Sequence, residues 1–539
     1  MRDEGSVTSG GTRWRAAFLI AFTLLQTLKC VVAARVAPFV DEAFYWQESR
    51  HLAWGYSDLP PLTAWLIRAG ETLAGHGLLG MRWPFLLLGA TLPWMVVLLA
   101  RRLFDARIGW QAGLWCLVLP LAGSMGVLAL PDVPLTAAIL LACLALQAAL
   151  SRDRWRDWLL LGAALALAWM THYRAAMAML AGLAFMLITS RGRAQWRRPG
   201  LWLALGVAAL GLIPLILSNL HQDGAGLEFQ LVQRNPWHFH ADALVQPIEQ
   251  ALVCTPLLYL LLLWAWWKSV RRARSGACDW DLIAVVAGTF LVAYFVFGLF
   301  ADDTRFRVHW PLPGYLPLLA VLPALLAGIR GWRRVYVHAA AWLAAVLQGA
   351  LLTWLMLASF PGGVAWLHGV KAFPANFVGW DRSAAAVKRL LPTMPPDTVL
   401  VADNFKLASE LDFQLDGVRP IYVLDSPLNV KHGRSPQIRI WQLDEASLRH
   451  RFAGAPMLLA LEESALSPRN QPRVLGQMCR RILAPRLLEA FHMDGGRKRF
   501  AFYLGTVPAQ LGPVRPRDDC TIWRHAYRIR EATRDAKQP

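Results

Sequence analysis

The sequence predicts an α-helical polytopic membrane protein of about eleven transmembrane helices, ending in a small extracytoplasmic α/β domain. Three observations predict it. Of the 539 residues, 56% are hydrophobic and only 17% charged, a balance expected of a chain solvated largely by lipid. Apolar runs of spanning length recur from residue 14 to about residue 360, each bounded by charges, Pro or Gly. After Gly379 the text changes to short apolar strands alternating with helical stretches.

The apolar runs begin near residues 14, 82, 108, 132, 158, 174, 200, 247, 281, 310 and 336. At roughly 20 residues per span these make about eleven helices. The first run is long and lacks a small-residue cleavage pattern, so it reads as a retained signal anchor. Basic clusters occupy alternate loops: Arg13 and Arg15; Arg101, Arg102 and Arg107; Arg152, Arg154 and Arg156; Arg191, Arg193, Arg197 and Arg198; Lys268, Arg271, Arg272 and Arg274; Arg330, Arg333 and Arg334. The positive-inside rule puts the N-terminus in the cytoplasm. An odd helix count then puts the first loop and the tail outside together. The expected domains are 1–360, with an outer loop at 35–80, and 361–539.

The formal charge of +19 follows these loops, a signature of topology rather than of nucleic-acid binding. In the tail, 383–391 and 405–415 read as helices, and 399–401, 421–424, 457–461 and 499–504 as strands. The seven Cys show no metal-ligand spacing. Cys479 and Cys520 lie in the tail, where a disulfide and two free thiols are equally compatible with the sequence. No internal repeat is evident.

The chemistry concentrates in the first loop, 40–62. As a helix, residues 41–54 place Asp41, Tyr45 and Glu48 at i, i+4 and i+7 on one face. Phe44, Trp46 and Trp54 supply rings suited to the head-group layer, and Tyr56 and Asp58 follow in a turn before Pro60-Pro61. Asp41 and Glu42 are the catalytic candidates; the plain alternative is that they cap a helix N-terminus, which favours anions. Asp132, in Pro131-Asp132-Val133-Pro134, is a third acid on the outer side, with N-capping as its own plain reading. Arg is suited to clamp phosphate, so Arg174 in His172-Tyr173-Arg174 and Arg305, Arg307 and His309 are binding candidates. Tyr45, Tyr56, Asp58 and Tyr173 complete that set. No His spacing marks a metal site, though the carboxylates could hold a divalent metal ion.

The stretches Asp41-Glu42-Ala43-Phe44-Tyr45-Trp46 and Gly55-Tyr56-Ser57-Asp58-Leu59-Pro60-Pro61-Leu62 resemble the GT-C glycosyltransferases of the protein-mannosyltransferase-like and aminoarabinose-transferase-like group. Pro131-Asp132-Val133-Pro134-Leu135 and His309-Trp310-Pro311-Leu312-Pro313-Gly314-Tyr315 look like later landmarks of the same group. In the tail, Asn429-Val430-Lys431-His432-Gly433 is similar to extracytoplasmic domains of bacterial members. The resemblance implies a lipid-phosphate-linked sugar donor and catalysis on the periplasmic face. It matches Asp41 to the family's loop carboxylate and Asp132 to a second acidic position. Leu59 departs from the pattern, standing where many relatives place His or Lys before Pro-Pro. Either that contact comes from elsewhere, Arg174 or Arg305 being the candidates, or this chain handles a different substrate.

The expected protein is therefore a multi-pass glycosyltransferase of the bacterial inner membrane. It would transfer a sugar, whose identity the sequence does not give, from a polyprenyl (undecaprenyl) phosphate to an envelope acceptor such as lipid A, another glycan or protein. Membrane lipids are its other partners; nucleic acid is not one. A flippase of lipid-linked sugars needs ionisable groups through the bundle, of which Lys29 is the main example. An envelope scaffold, the remaining rival, would depend on the tail and not on Asp41.

Overall fold

The computed structural model describes residues 4–221, 224–228, 231–232, 238–277, 279–300, 308–466, 471–513, 516 and 519–527. It divides into two compact units, Met1–Ala34 with Leu52–Leu355, and Arg35–His51 with Met356–Pro539. Residues 35–51, expected in the membrane domain, thus pack within the second unit. The physical reason is that Val40 and Phe44 enter that unit's hydrophobic core.

The first unit is helical among its described residues. Six helices are long and apolar enough to cross a membrane: Gly11–Arg35, Leu78–Leu103, Asp132–Arg152, Pro199–His221, Trp280–Phe300 and Trp332–Ala358. Two bent pairs raise the number to eight: Ala175–Ile188 with Ser190–Arg197, and Ala241–Cys254 with Pro256–Arg274. Among the described residues, six to eight helices thus meet the length of a span, and the expected count of about eleven is not confirmed. The runs expected near 108, 158 and 310 give shorter helices, Ala106–Val118, Trp155–Thr171 and Leu312–Leu326, of 13, 17 and 15 residues. The 111° bend falls at Thr255-Pro256. A residue before Pro is driven out of the helical region, and Pro has no N–H to continue the ladder.

The helix ends of this unit segregate by charge. At one end Arg191 pairs with Asp279 at 2.5 Å, Arg198 pairs with Asp153 at 2.6 Å, and Arg102 donates to the Leu144 carbonyl at 3.0 Å. Arg271 and Arg272 close the helix Pro256–Arg274, and Arg330 follows Leu312–Leu326. Asp132, Arg174 and His309 gather at the opposite ends of their helices. Lys29 is buried and donates to the Met125 carbonyl at 2.7 Å, so this ionisable group is engaged in packing the first span.

The second unit is built on a five-stranded sheet in the order β2-β1-β3-β5-β4, with β1 at Val399–Ala402, β2 at Ile421–Val423, β3 at Pro456–Leu461, β4 at Leu483–Met493 and β5 at Lys498–Thr506. β1 runs parallel to β2 and β3; β5 is antiparallel to β3 and β4. Strands β1 and β3 are buried on both faces, which accounts for their continuous apolar text. Cys479 and Cys520 form a disulfide, 41 positions apart. Replacing either by Ser should lower this unit's stability by about 3–4 kcal/mol on the chain-entropy account. Thermal melts of the variants check it, and an unchanged Tm would show that the crosslink constrains little.

Candidate functional site

Two groups of candidate residues assemble, one in each unit. In the second unit, the helix Val40–Arg50 begins with a capping box: the Phe39 N–H donates to Glu42 Oε2 at 2.8 Å. Glu42 is fully buried. The capping alternative read from the sequence therefore describes Glu42, whose carboxylate turns back on its own helix start. This helix does not float in the head-group layer as an amphipathic surface helix, because nine of its eleven residues are buried. Phe44 packs edge-on against Phe405 and Trp46 against Phe413, while Gln47 donates to Asp412 at 2.8 Å. Only Trp54, in the first unit, keeps the expected exposure, at 55%.

Asp41 is different. Its side chain stays 29% exposed and accepts from Arg434 at 3.2 Å. Arg434 is 3% exposed, and its other terminal nitrogen lies 3.8 Å from Glu48. Its guanidinium also sits over the rings of Phe44, at 4.1 Å, and Tyr45, at 5.1 Å. One cation thus touches the whole face on which the i, i+4, i+7 spacing puts Asp41, Tyr45 and Glu48.

The loop that delivers Arg434 is fixed by its own sequence. Ser426 caps the short helix Pro427–Lys431, and Asn429 accepts from the Phe405 N–H at 2.9 Å and donates to the Leu424 carbonyl. Gly433, at φ 70°, takes the left-handed turn that lets the Arg434 N–H return to the Asn429 carbonyl. Burial pushes Asp41's carboxyl up, but Arg434, seconded by His432 and Lys406, outweighs it and holds the group below the ordinary carboxylate range.

In the first unit, Asp132 is the hub. Arg174 reaches its Oδ1 at 2.6 Å and His309 at 3.2 Å. Arg174 stacks over Trp310 at 5.1 Å, and Trp310 contacts Tyr294. The Arg174 N–H donates to His172 Nδ1, tightening the turn between two helices. Tyr173 in the same turn accepts from Asn219 at 3.4 Å and lies within electrostatic reach of Asp58. Tyr56, Ser57 and Asp58 are buried in a turn closed by the Tyr56 N–H on the Leu59 carbonyl. Gly55 is required there, since a Cβ would meet Ser218 Oγ at 2.6 Å. The His172–Arg174 turn therefore links the Asp58 turn to the Asp132–His309 pair.

Arg305 and Arg307 lie outside the described residues. Sequence reasoning missed Arg434, Lys406, Tyr294 and Asn219, and named His432 only as part of a tail motif with no role given. Gly433, in that motif, is the one local signal next to Arg434 and His432; Lys406 sits on the helix Phe405–Gln414 and carried none. Among the described residues, no group of three or more His, Cys, Asp and Glu side chains is arranged to hold a metal ion.

A family model for dolichyl-phosphate-mannose-protein mannosyltransferases matches residues 58–217. The lipid A galacturonosyltransferase RgtD of Rhizobium johnstonii (strain DSM 114642 / LMG 32736 / 3841) is 26% identical over 399 residues, covering 70% of this chain and 77% of the relative. The fold is similar to that of ArnT from Cupriavidus metallidurans bound to undecaprenyl phosphate, with a TM-score of 0.64 and 17% identity over 93% of this chain and 99% of that one. The apo form of the same protein gives a TM-score of 0.61. Family model, curated relative and fold agree with the loop residues and together support a GT-C membrane glycosyltransferase of the ArnT and protein-mannosyltransferase type.

Proposed function

We propose that this enzyme transfers a sugar from undecaprenyl phosphate to lipid A or a related envelope acceptor on the periplasmic face of the inner membrane. The observation that carries the reading is the convergence of Arg174 and His309 on Asp132, a cluster joined through ring contacts to an apolar groove. The groove, about 460 Å³, is lined by Ile139, Leu146, Leu165, Met179 and Phe290. Phe290, Tyr294, Trp310 and Arg174 form a run of ring contacts leading from it to the cations. A lipid tail fits the apolar part and its phosphate the charged end.

Asp41 then accepts the proton of the acceptor hydroxyl as that oxygen attacks the anomeric carbon, and the bond from carbon to phosphate oxygen breaks. One displacement inverts the anomeric centre. Arg174 and His309, with Arg305 and Arg307 as further donors, offset the charge developing on the leaving phosphate. Asp132 orients Arg174, and Tyr45, Tyr56, Asp58 and Tyr173 contribute to substrate binding. We assign Glu42 to holding the helix start. Leu59 supplies no cation, so Arg174 takes that part.

Topology supports the periplasmic side. The basic helix ends share one end of the bundle, which the positive-inside rule assigns to the cytoplasm. The short helices still connect the two ends: Leu312–Leu326 has His309 before it and Arg330 after it. With those crossings counted, the N-terminus is cytoplasmic and the C-terminal unit periplasmic, where a disulfide persists. The domain assignment follows as a transmembrane catalytic part through residue 360 and a periplasmic α/β part beyond it, to which helix Val40–Arg50 is attached.

Arg174→Gln tests the phosphate role. The KM for an undecaprenyl-phosphate sugar should rise at least tenfold while the protein stays folded, with donors carrying galacturonic acid and aminoarabinose assayed in parallel. An unchanged KM and kcat would remove Arg174 from donor binding. The same assay in EDTA should retain activity if these cations carry the countercharge; a loss restored by Mg²⁺ or Mn²⁺ would assign that part to a divalent ion.

A further inference from the structure

We propose that the basic end of the helix bundle holds a second binding site, for the head group of an anionic phospholipid. A groove of about 1100 Å³ opens there among the helices Pro256–Arg274, Leu312–Leu326 and Trp332–Ala358. Lys268, Arg271 and Arg272 enter it from the first helix, Arg330 from the loop between the other two, and Arg333 from the first turn of the third. No acidic side chain lines it.

The positive-inside rule accounts for cations on this side but not for their convergence in one concavity without countercharge. On the same side Arg191 pairs with Asp279 and Asp281, and Arg198 with Asp153. Among the described residues, none of the five groove cations forms an ion pair. Like charges gathered in a cleft focus a positive potential, and an anion relieves it.

Ring contacts hold the cations in place. Lys268 and Arg271 each lie 5.0 Å from the Trp267 ring, and Arg333 lies 5.6 Å from that of Trp332. Tyr336 is held by its hydroxyl on the Leu257 carbonyl at 3.0 Å. Below the charged rim the walls turn apolar, with Leu260, Leu261, Leu325 and Val337. A free phosphate would satisfy the rim alone. A phospholipid satisfies both rim and walls, because its phosphodiester accepts from Arg and Lys while its chains lie along the helices. The groove and His309 flank opposite ends of the 15-residue helix Leu312–Leu326, roughly 22 Å of helix apart. The lipid site is therefore separate from the transfer chemistry and does not rest on that assignment.

Native mass spectrometry of the purified full chain tests this. Wild type should retain phosphatidylglycerol or cardiolipin in preference to phosphatidylcholine. The triple variant Arg271→Gln, Arg272→Gln, Arg333→Gln should lower that occupancy at least tenfold. A control with equal charge loss outside the groove, Arg154→Gln, Arg156→Gln, Arg197→Gln, should bind as wild type. The pair Trp267→Ala, Trp332→Ala keeps every charge and should still weaken binding at least threefold. Equal loss in the control, equal retention of phosphatidylcholine, wild-type binding by the Trp pair, or full displacement of lipid by millimolar inorganic phosphate would each overturn the proposal.

Discussion

Asp41→Asn should yield a folded, membrane-inserted protein whose transfer rate has fallen by roughly 100- to 10,000-fold, the range for loss of a positioned base. Asn keeps the shape of the side chain and a carbonyl that can accept from Arg434, so the contact at 3.2 Å retains its geometry. What disappears is the negative charge and the ability to take a proton. Comparison with Glu42→Gln sharpens the result. Glu42 is used up in the cap on Phe39, so its loss should cost about 1 kcal/mol of stability and leave kcat within a few-fold. Initial rates with thermal melts on the same preparations check both. Equal activity in Asp41→Asn and wild type would take Asp41 out of the chemistry.

Arg434→Gln should have the second largest effect, and its signature is a shifted pH profile. Arg434 is the main influence holding Asp41 below the ordinary carboxylate range, against burial. In the folded wild type the pair is intact above the ordinary carboxylate value near 4 and is lost as pH falls through Asp41's lowered pKa. Without Arg434, burial prevails and the carboxyl titrates higher. The acidic limb of kcat/KM should therefore move toward neutral pH, with activity at pH 6 falling more than at pH 8. Arg434→Lys keeps the charge but not the fork or the stacking on Phe44 and Tyr45, so it should give an intermediate limb. A uniform loss at every pH would mean that Arg434 only supports the fold.

Much of the architecture is legible because it rests on short-range patterns. The long apolar runs give the spanning helices, and the strands β1, β2, β3 and β5 are short β-branched or apolar segments between turn residues. β4 escapes notice because it is a largely exposed edge strand, contains Pro485, and reads Leu-Leu-Glu-Ala like a helix. The helix Val40–Arg50 reads as a surface helix because its aromatic residues suit lipid head groups as well as a protein core. What decides between them is the complementary face of Phe405–Gln414, some 365 positions away. The same distance hides Arg434: nothing local in its sequence tells a buried guanidinium from an exposed one. Asp132, Arg174 and His309 were each visible alone, as acid or base in a loop between apolar runs. Their meeting on one carboxylate oxygen depends on how three helix ends pack.

The central claim is that this chain makes a new glycoconjugate using Asp41. The direct measurement is product analysis after reconstituting wild type and Asp41→Asn with labelled undecaprenyl-phosphate sugar and lipid A. The account predicts labelled, heavier lipid A with the wild type and none with the variant. Label that crosses the bilayer without joining any acceptor, or equal product from both proteins, would contradict it.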